Sequence, residues 1–120
     1  MPPSTSRSAI RPRVYLRGGI AVGPGKIDLL LRVDRLHSIS AAARAMQMSY
    51  KRAWQLIDAM NRDFGRPVVA TTTGGAGGGG ASLTELGRAL VTRYAALERR
   101  LNDAASAEVA ALQALVRRRR

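Results

Sequence analysis

A short alanine-rich helix joined by a three-residue turn to a second, polar-faced helix, a glycine-rich hairpin behind them, and an apolar repeat through the last third of the chain predict the fold class. It is mainly α with a small β wing: a winged helix-turn-helix followed by a long dimerisation helix. Residues 1–13 carry Pro2, Pro3 and Pro12 among serines and arginines, without an acid, and are expected to form a disordered basic tail. Val14-Tyr15-Leu16 and Ile20-Ala21-Val22, separated by Gly18-Gly19, are β-prone pieces expected to pair with the later wing strands. Pro24-Gly25 then opens a helix whose buried stripe is Ile27, Leu30 and Leu31, extended by Val33 and Leu36. His37 closes it; with no second His or Cys in the chain it is read as a capping or surface residue rather than a ligand.

The next helix spans Ser40 to Met46. Ser40 is placed to cap it, and Ala41, Ala42, Ala43 and Ala45 are small enough for another helix to cross closely. Gln47-Met48-Ser49 forms the turn, with Ser49 available to cap a helix that runs to about Phe64 and stops at Gly65 and Pro67. Ala53, Ile57, Met60 and Phe64 recur at four, three and four residues, so that stripe faces the core. Tyr50, Lys51, Trp54, Gln55 and Asp58 are left outside. Lys51 and Arg52 have the chemistry to neutralise phosphates or reach guanine, Gln55 to pair with adenine, and Tyr50 to meet a phosphate or a thymine methyl. The plainer reading has Trp54 covering the edge of the core and the basic residues merely solvated.

TTTGGAGGGGAS, Thr71 to Ser82, admits two phosphate-binding readings, and both fail. No lysine follows the glycines as a P-loop requires, and no βαβ unit surrounds them as a dinucleotide fold requires. A hairpin remains, Val68-Val69-Ala70 returning through Ala81-Ser82-Leu83, whose glycine tip offers no side chain to clash with a sugar-phosphate backbone. From Thr84 to about Val116 one long helix is expected, with Leu86, Leu90, Tyr94, Leu97, Leu101, Ala105, Val109, Leu112 and Val116 along its stripe. Such a helix would be on the order of 45 to 50 Å long, more than a domain of this size can cover with its own core. A two-fold pairing through Leu86, Leu90, Tyr94, Leu97, Leu101, Val109 and Leu112 would bury it and set two recognition helices roughly 34 to 36 Å apart. The expected organisation is thus a tail at 1–13, a DNA-binding domain at 14–83, the dimerisation helix at 84–116, and a basic tail at 117–120.

Composition agrees with a polyanionic partner. The 120 residues hold 20 Lys and Arg against 8 Asp and Glu, a net charge of +12, which predicts salt-sensitive binding to double-stranded DNA. Only Lys26 and Lys51 are lysines. The absence of cysteine excludes disulfides and thiolate chemistry. Neither a metal nor any other cofactor is expected, and an enzyme lacks its parts. No apolar run approaches the roughly 18 residues of a membrane helix, so a cytoplasmic protein without membrane contact is expected.

The strings SISAAARAMQMSYKRAWQLIDAMN and TGGAGGGGASLTELG resemble the DNA-binding N-terminal domain of ModE-type molybdate-responsive regulators, itself related to that of LysR-type regulators. The resemblance covers about residues 14 to 115. It implies a homodimer on operator DNA, joined by the helix after the wing. It also implies a recognition helix carrying Ser49, Tyr50, Lys51, Arg52, Trp54 and Gln55, and a wing at Gly74 to Gly80, with Gly74, Gly75, Gly77 and Gly78 at its tip. Two departures shape the expectation. Full-length members add C-terminal molybdate-binding domains where this chain ends, so it is not expected to sense molybdate. Ala70, Thr71 and Ala76 stand where family wings tend to be basic, which predicts weak phosphate contacts. A sequence-specific regulator on a pseudo-palindromic operator, a nonspecific architectural DNA-binding protein, and a mixed-dimer modulator of a full-length regulator all remain open from sequence.

Overall fold

In the computed structural model the described residues are 8–72 and 79–117. A β-hairpin, three helices, a second hairpin and two C-terminal helices follow in that order. The first hairpin pairs β1 (Val14–Tyr15) with β2 (Ala21–Val22), Val14 opposite Val22 and Tyr15 opposite Ala21. These strands pair with each other and not, as the sequence suggested, with the wing. Local closure explains it. Gly18 and Gly19 both take positive φ, 76° and 78°, and the Leu16 N–H donates to the Ile20 carbonyl at 2.7 Å, so the chain reverses within a few residues.

Helix α1 (Pro24–Leu36) starts with Pro24 in the first turn and ends on His37, whose left-handed backbone (φ 56°) places its N–H on the Val33 carbonyl. His37 is exposed, as expected of a capping residue. Its buried side chains are Ile27, Leu29, Leu30 and Val33, a different stripe from the one anticipated: Leu29 is fully buried, Leu31 half-buried and Leu36 exposed. The reason is that α1 is packed on two sides. Leu29, Leu30 and Val33 enter the main core, while Ile27 joins Val22 and Tyr94 in a smaller cluster that Leu31 flanks.

Helix α2 (Ile39–Ala45) is capped by Ser38, whose hydroxyl accepts from the Ala41 N–H at 3.0 Å. The cap was expected at Ser40. Ile39 is buried and already helical, which moves the cap ahead of it, and Ser40 instead accepts from the Arg44 guanidinium at 3.2 Å. Helix α3 (Tyr50–Phe64) begins where the sequence placed it: the Ser49 hydroxyl accepts from the Arg52 N–H at 2.9 Å, and left-handed Gly65 closes the C-terminus. Ala42 and Ala43 face Ala53, Ile57 and Met60 in the main core; Phe64 is half-buried against the smaller cluster.

The wing strands, β3 (Val69–Thr72) and β4 (Gly80–Leu83), are antiparallel in the register Val69–Leu83 to Thr72–Gly80. Hydrogen bonds to the flanking elements fix them to the body, among them an Arg88 Nη1 donor to the Leu83 carbonyl at 2.8 Å. The Ala81 N–H donates to the His37 carbonyl at 3.0 Å, the Val68 N–H to the Asn61 side chain at 2.8 Å, and the Thr84 hydroxyl to the Pro67 carbonyl at 2.8 Å.

Thr84 also caps α4 (Glu85–Ala104) by accepting from the Gly87 N–H at 3.1 Å. The long helix is present, but it stops at Ala104 instead of running to Val116. Ala105 leaves helical geometry (φ −104°, ψ 15°), and a separate α5 (Ser106–Gln113) follows. Asn102, Asp103 and Ser106 surround the break, and short polar side chains of this kind compete with helical backbone bonds. The expected disordered tail is also corrected over its described part. Residues 10–12 lie along α4, with Ile10 bonded to Asn102, Pro12 to Tyr94, and Arg11 to Asp28 and Glu98.

Candidate nucleic-acid interface

Helix α3 is held by its inner face and presents the other. With Ala53, Ile57 and Met60 buried, Tyr50, Lys51, Arg52, Gln55 and Asp58 are exposed together. Ser49 is exposed too, its hydroxyl committed to the cap. The first turn of α3 contains no acid and carries Lys51 and Arg52 instead. That arrangement opposes the helix dipole, whose positive end favours carboxylates, and concentrates positive potential at that end. Among the described residues the ion pairs are those of Arg11, so neither Lys51 nor Arg52 is neutralised by a carboxylate.

Trp54 covers the edge of the core, as the plainer reading expects. It is half-buried and packs against the main core, and it also meets Tyr50 edge-on at 6.4 Å between ring centroids. Those two rings form one wall of an open groove of about 330 Å³ between α2, α3 and the wing strands. Ser38, Ile39 and Ser40 of the α2 start and Thr71, Thr72, Gly79, Gly80 and Ala81 of the wing complete its lining. Among the described residues, hydroxyls and aromatic faces line it, with no carboxylate, which suits a sugar-phosphate strand. Sequence reasoning missed Ser40, Thr71 and Thr72 as groove residues; the signal was the run of hydroxyls just before the glycines. Arg44, exposed at the end of α2, adds a cation that was also missed.

Gly74, Gly75, Gly77 and Gly78 lie outside the described residues. Of the proposed pairing residues, Tyr94 is buried inside its own chain with its hydroxyl on the Pro12 carbonyl at 2.7 Å, and it is removed from that set. Leu86 and Leu90 are half-buried against the chain's own core. Leu97, Leu101 and Val109 are half-buried, and Leu112 is 64% exposed.

Fold and site define a winged helix-turn-helix module, in which the exposed basic first turn of α3 stands next to a β wing. Residues 25–88 match the family described as bacterial regulatory helix-turn-helix protein, lysR family, and the chain belongs to it. It is 45% identical over 85 residues to the molybdenum-pterin-binding protein MopB of Rhodobacter capsulatus, covering 71% of this chain and 32% of that protein. To the molybdenum transport protein ModE of Azotobacter vinelandii it is 38% identical over 109 residues, covering 82% and 40%. The transcriptional regulator ModE of Haemophilus influenzae is 36% identical over 86 residues, covering 72% and 34%. The chain thus spans between 32% and 40% of the length of these relatives.

Solved structures share the fold. The DNA-binding domain of CbnR in its DNA complex superposes with a TM-score of 0.56 at 17% identity, covering 73% of this chain and 95% of that one. Full-length LysG of Corynebacterium glutamicum with bound effector Arg superposes with a TM-score of 0.57 at 23% identity, covering 79% and 30%.

Proposed function

We propose that this chain is a DNA-binding transcriptional regulator that acts as a homodimer on a pseudo-palindromic operator, with molybdenum-related genes as its first candidate targets. The observation that carries the reading is the acid-free first turn of α3, where Lys51 and Arg52 stand exposed on a Ser49-capped helix beside a hydroxyl-lined groove. Phosphates take the cations and the groove, Gln55 and Tyr50 read base edges, and affinity falls with salt. The relatives, which include a transcriptional regulator, a molybdenum-pterin-binding protein and a molybdenum transport protein, support the choice of genes.

Support for pairing comes from α5. Five of its eight residues are apolar, Glu108 is its one charge, and none of its residues is buried in its own chain. A helix of that composition is stable when something covers it. Leu97, Leu101, Val109 and Leu112 are the residues a second copy would cover.

The test is binding of the purified protein to DNA upstream of its own gene and of molybdenum-uptake genes, titrated with salt and unrelated competitor DNA, with and without molybdate. A competitor-resistant footprint of two half-sites is the expected result. Binding that is blind to sequence and abolished by competitor would overturn the regulator in favour of an architectural protein.

A further inference from the structure

We infer that Ile10–Pro12 is a positioning strap, and that Asn102 and Arg11 use it to fix the direction of α4 against α1, and thereby the operator spacing the dimer accepts. The inference rests on the paired reading proposed above.

Asn102 treats Ile10 as a neighbouring strand would. Its carbonyl oxygen accepts the Ile10 N–H at 3.0 Å and its amide donates to the Ile10 carbonyl at 2.9 Å. The same amide donates to the Glu98 backbone carbonyl at 2.7 Å, so the side chain is bound to its own helix as well. Two turns earlier on α4, Tyr94 donates to Pro12. Between these anchors Arg11 reaches across: Nη1 and Nη2 meet the two Asp28 oxygens at 3.2 and 2.7 Å, and Nε meets Glu98 at 3.2 Å. Tyr94, Glu98 and Asn102 follow at four-residue intervals along one face of α4, while Asp28 belongs to α1.

The rest of the α1–α4 join here is apolar, built on Ile27, Val22 and Tyr94. Apolar contact is non-directional and resists separation better than tilt. Bidentate hydrogen bonds and a forked guanidinium are directional, and supply what the apolar contact lacks. Tilt matters because α4 is a lever. At about 1.5 Å per residue its 20 residues span about 30 Å, so a tilt of roughly 5° moves the far end by about 2.6 Å, close to the rise of roughly 3.4 Å per base pair. In a chain with 8 acids against 20 bases, two of the acids hold this one arginine.

The experiment starts from a site selected by the wild-type chain out of random DNA, rebuilt with half-sites moved by one or two base pairs either way, and as an isolated half-site. Affinities are measured for the wild type, Asn102→Ala and Arg11→Gln, with a melting curve for each. Both variants are expected to bind the isolated half-site within twofold of wild type, while the preference for the selected spacing over a two-base-pair shift falls at least fivefold. An unchanged spacing preference overturns the strap, as does half-site affinity falling in parallel, which marks a role in stability alone. A wild type indifferent to spacing sinks the paired reading itself, and is recognised before any variant is measured. Arg11 is exposed and outside the core, so Arg11→Gln decides alone if Asn102→Ala fails to fold.

Discussion

The carbonyl of Val68 lies where a side chain on Gly87 would begin, and a β-carbon there would overlap the Val68 oxygen while crowding Leu83 at 3.3 Å. That oxygen is not free to move, because it accepts the Thr84 N–H at 3.0 Å at the start of α4. Gly87→Ala is therefore expected to lower the melting temperature. Overpacking of about 1–3 kcal/mol outweighs the gain of about 1 kcal/mol from replacing a helical glycine. Gly25, also helical but facing open space, gives the opposite sign: Gly25→Ala should stabilise by about 0.5–1 kcal/mol. Thermal melts of the two variants side by side check both.

Lys51→Ala with Arg52→Ala should abolish competitor-resistant DNA binding while leaving the circular dichroism spectrum intact. The cap survives, because Ser49 accepts from the backbone of residue 52 and not from its side chain. Residual binding should show a salt slope shallower by about 1.8, roughly 0.9 for each phosphate contact removed. An unchanged slope would move recognition off α3.

Adjacent serines should separate sharply. Ser38→Ala removes the α2 cap and is expected to cost about 1 kcal/mol. Ser40→Ala loses only an exposed bond from Arg44 and should stay within about 0.5 kcal/mol in a denaturant titration. Because Ser40 lines the groove, a modest loss of DNA affinity without loss of stability is the outcome expected of it.

Burial, with the nearby Glu98 carboxylate, holds the Tyr94 phenol above the usual range near 10. The folded state thus favours the neutral phenol. Its contribution is fully present below about pH 10 and is lost as pH rises through the higher folded value. Urea midpoints measured from pH 8 to 12 should fall more steeply above pH 10 for the wild type than for Tyr94→Phe. At neutral pH the Phe variant should be weaker by about 1 kcal/mol, the worth of the bond to Pro12.

Leu112→Asp places a charge on an exposed face of α5, so the melting temperature at low concentration should not change. Sedimentation is expected to show weaker self-association. Unaltered association would remove Leu112 from the contact and leave Leu97, Leu101 and Val109.

The helix-turn-helix was legible in the sequence because its signals are local. Ser49 and Gly65 bracket α3 as caps, and Ala53, Ile57 and Met60 mark its inner face by period. What was not legible depends on distant residues. Leu29 is buried because α1 is sandwiched, which its own periodicity does not encode. The stripe through Tyr94 continues past Ala105 without a pause, yet Tyr94 faces its own chain and the helix breaks, since one stripe cannot announce whether it meets self or partner. Ile10 and Arg11 read as tail because their partners Asn102, Glu98 and Asp28 stand 92, 87 and 17 positions away.

Lys51 is one of only two lysines among the 20 basic residues, and the rest are arginines. Guanidinium groups keep their proton at any pH a cell reaches, and acetyltransferases act on lysine, not arginine. The positive field of this chain is accordingly a permanent property, beyond the reach of acidification and almost beyond the reach of acetylation. For the proposed regulator, release from DNA would then come from outside the charge itself, through competing ions, a competing anion, or a change in how the two proposed copies are set against each other.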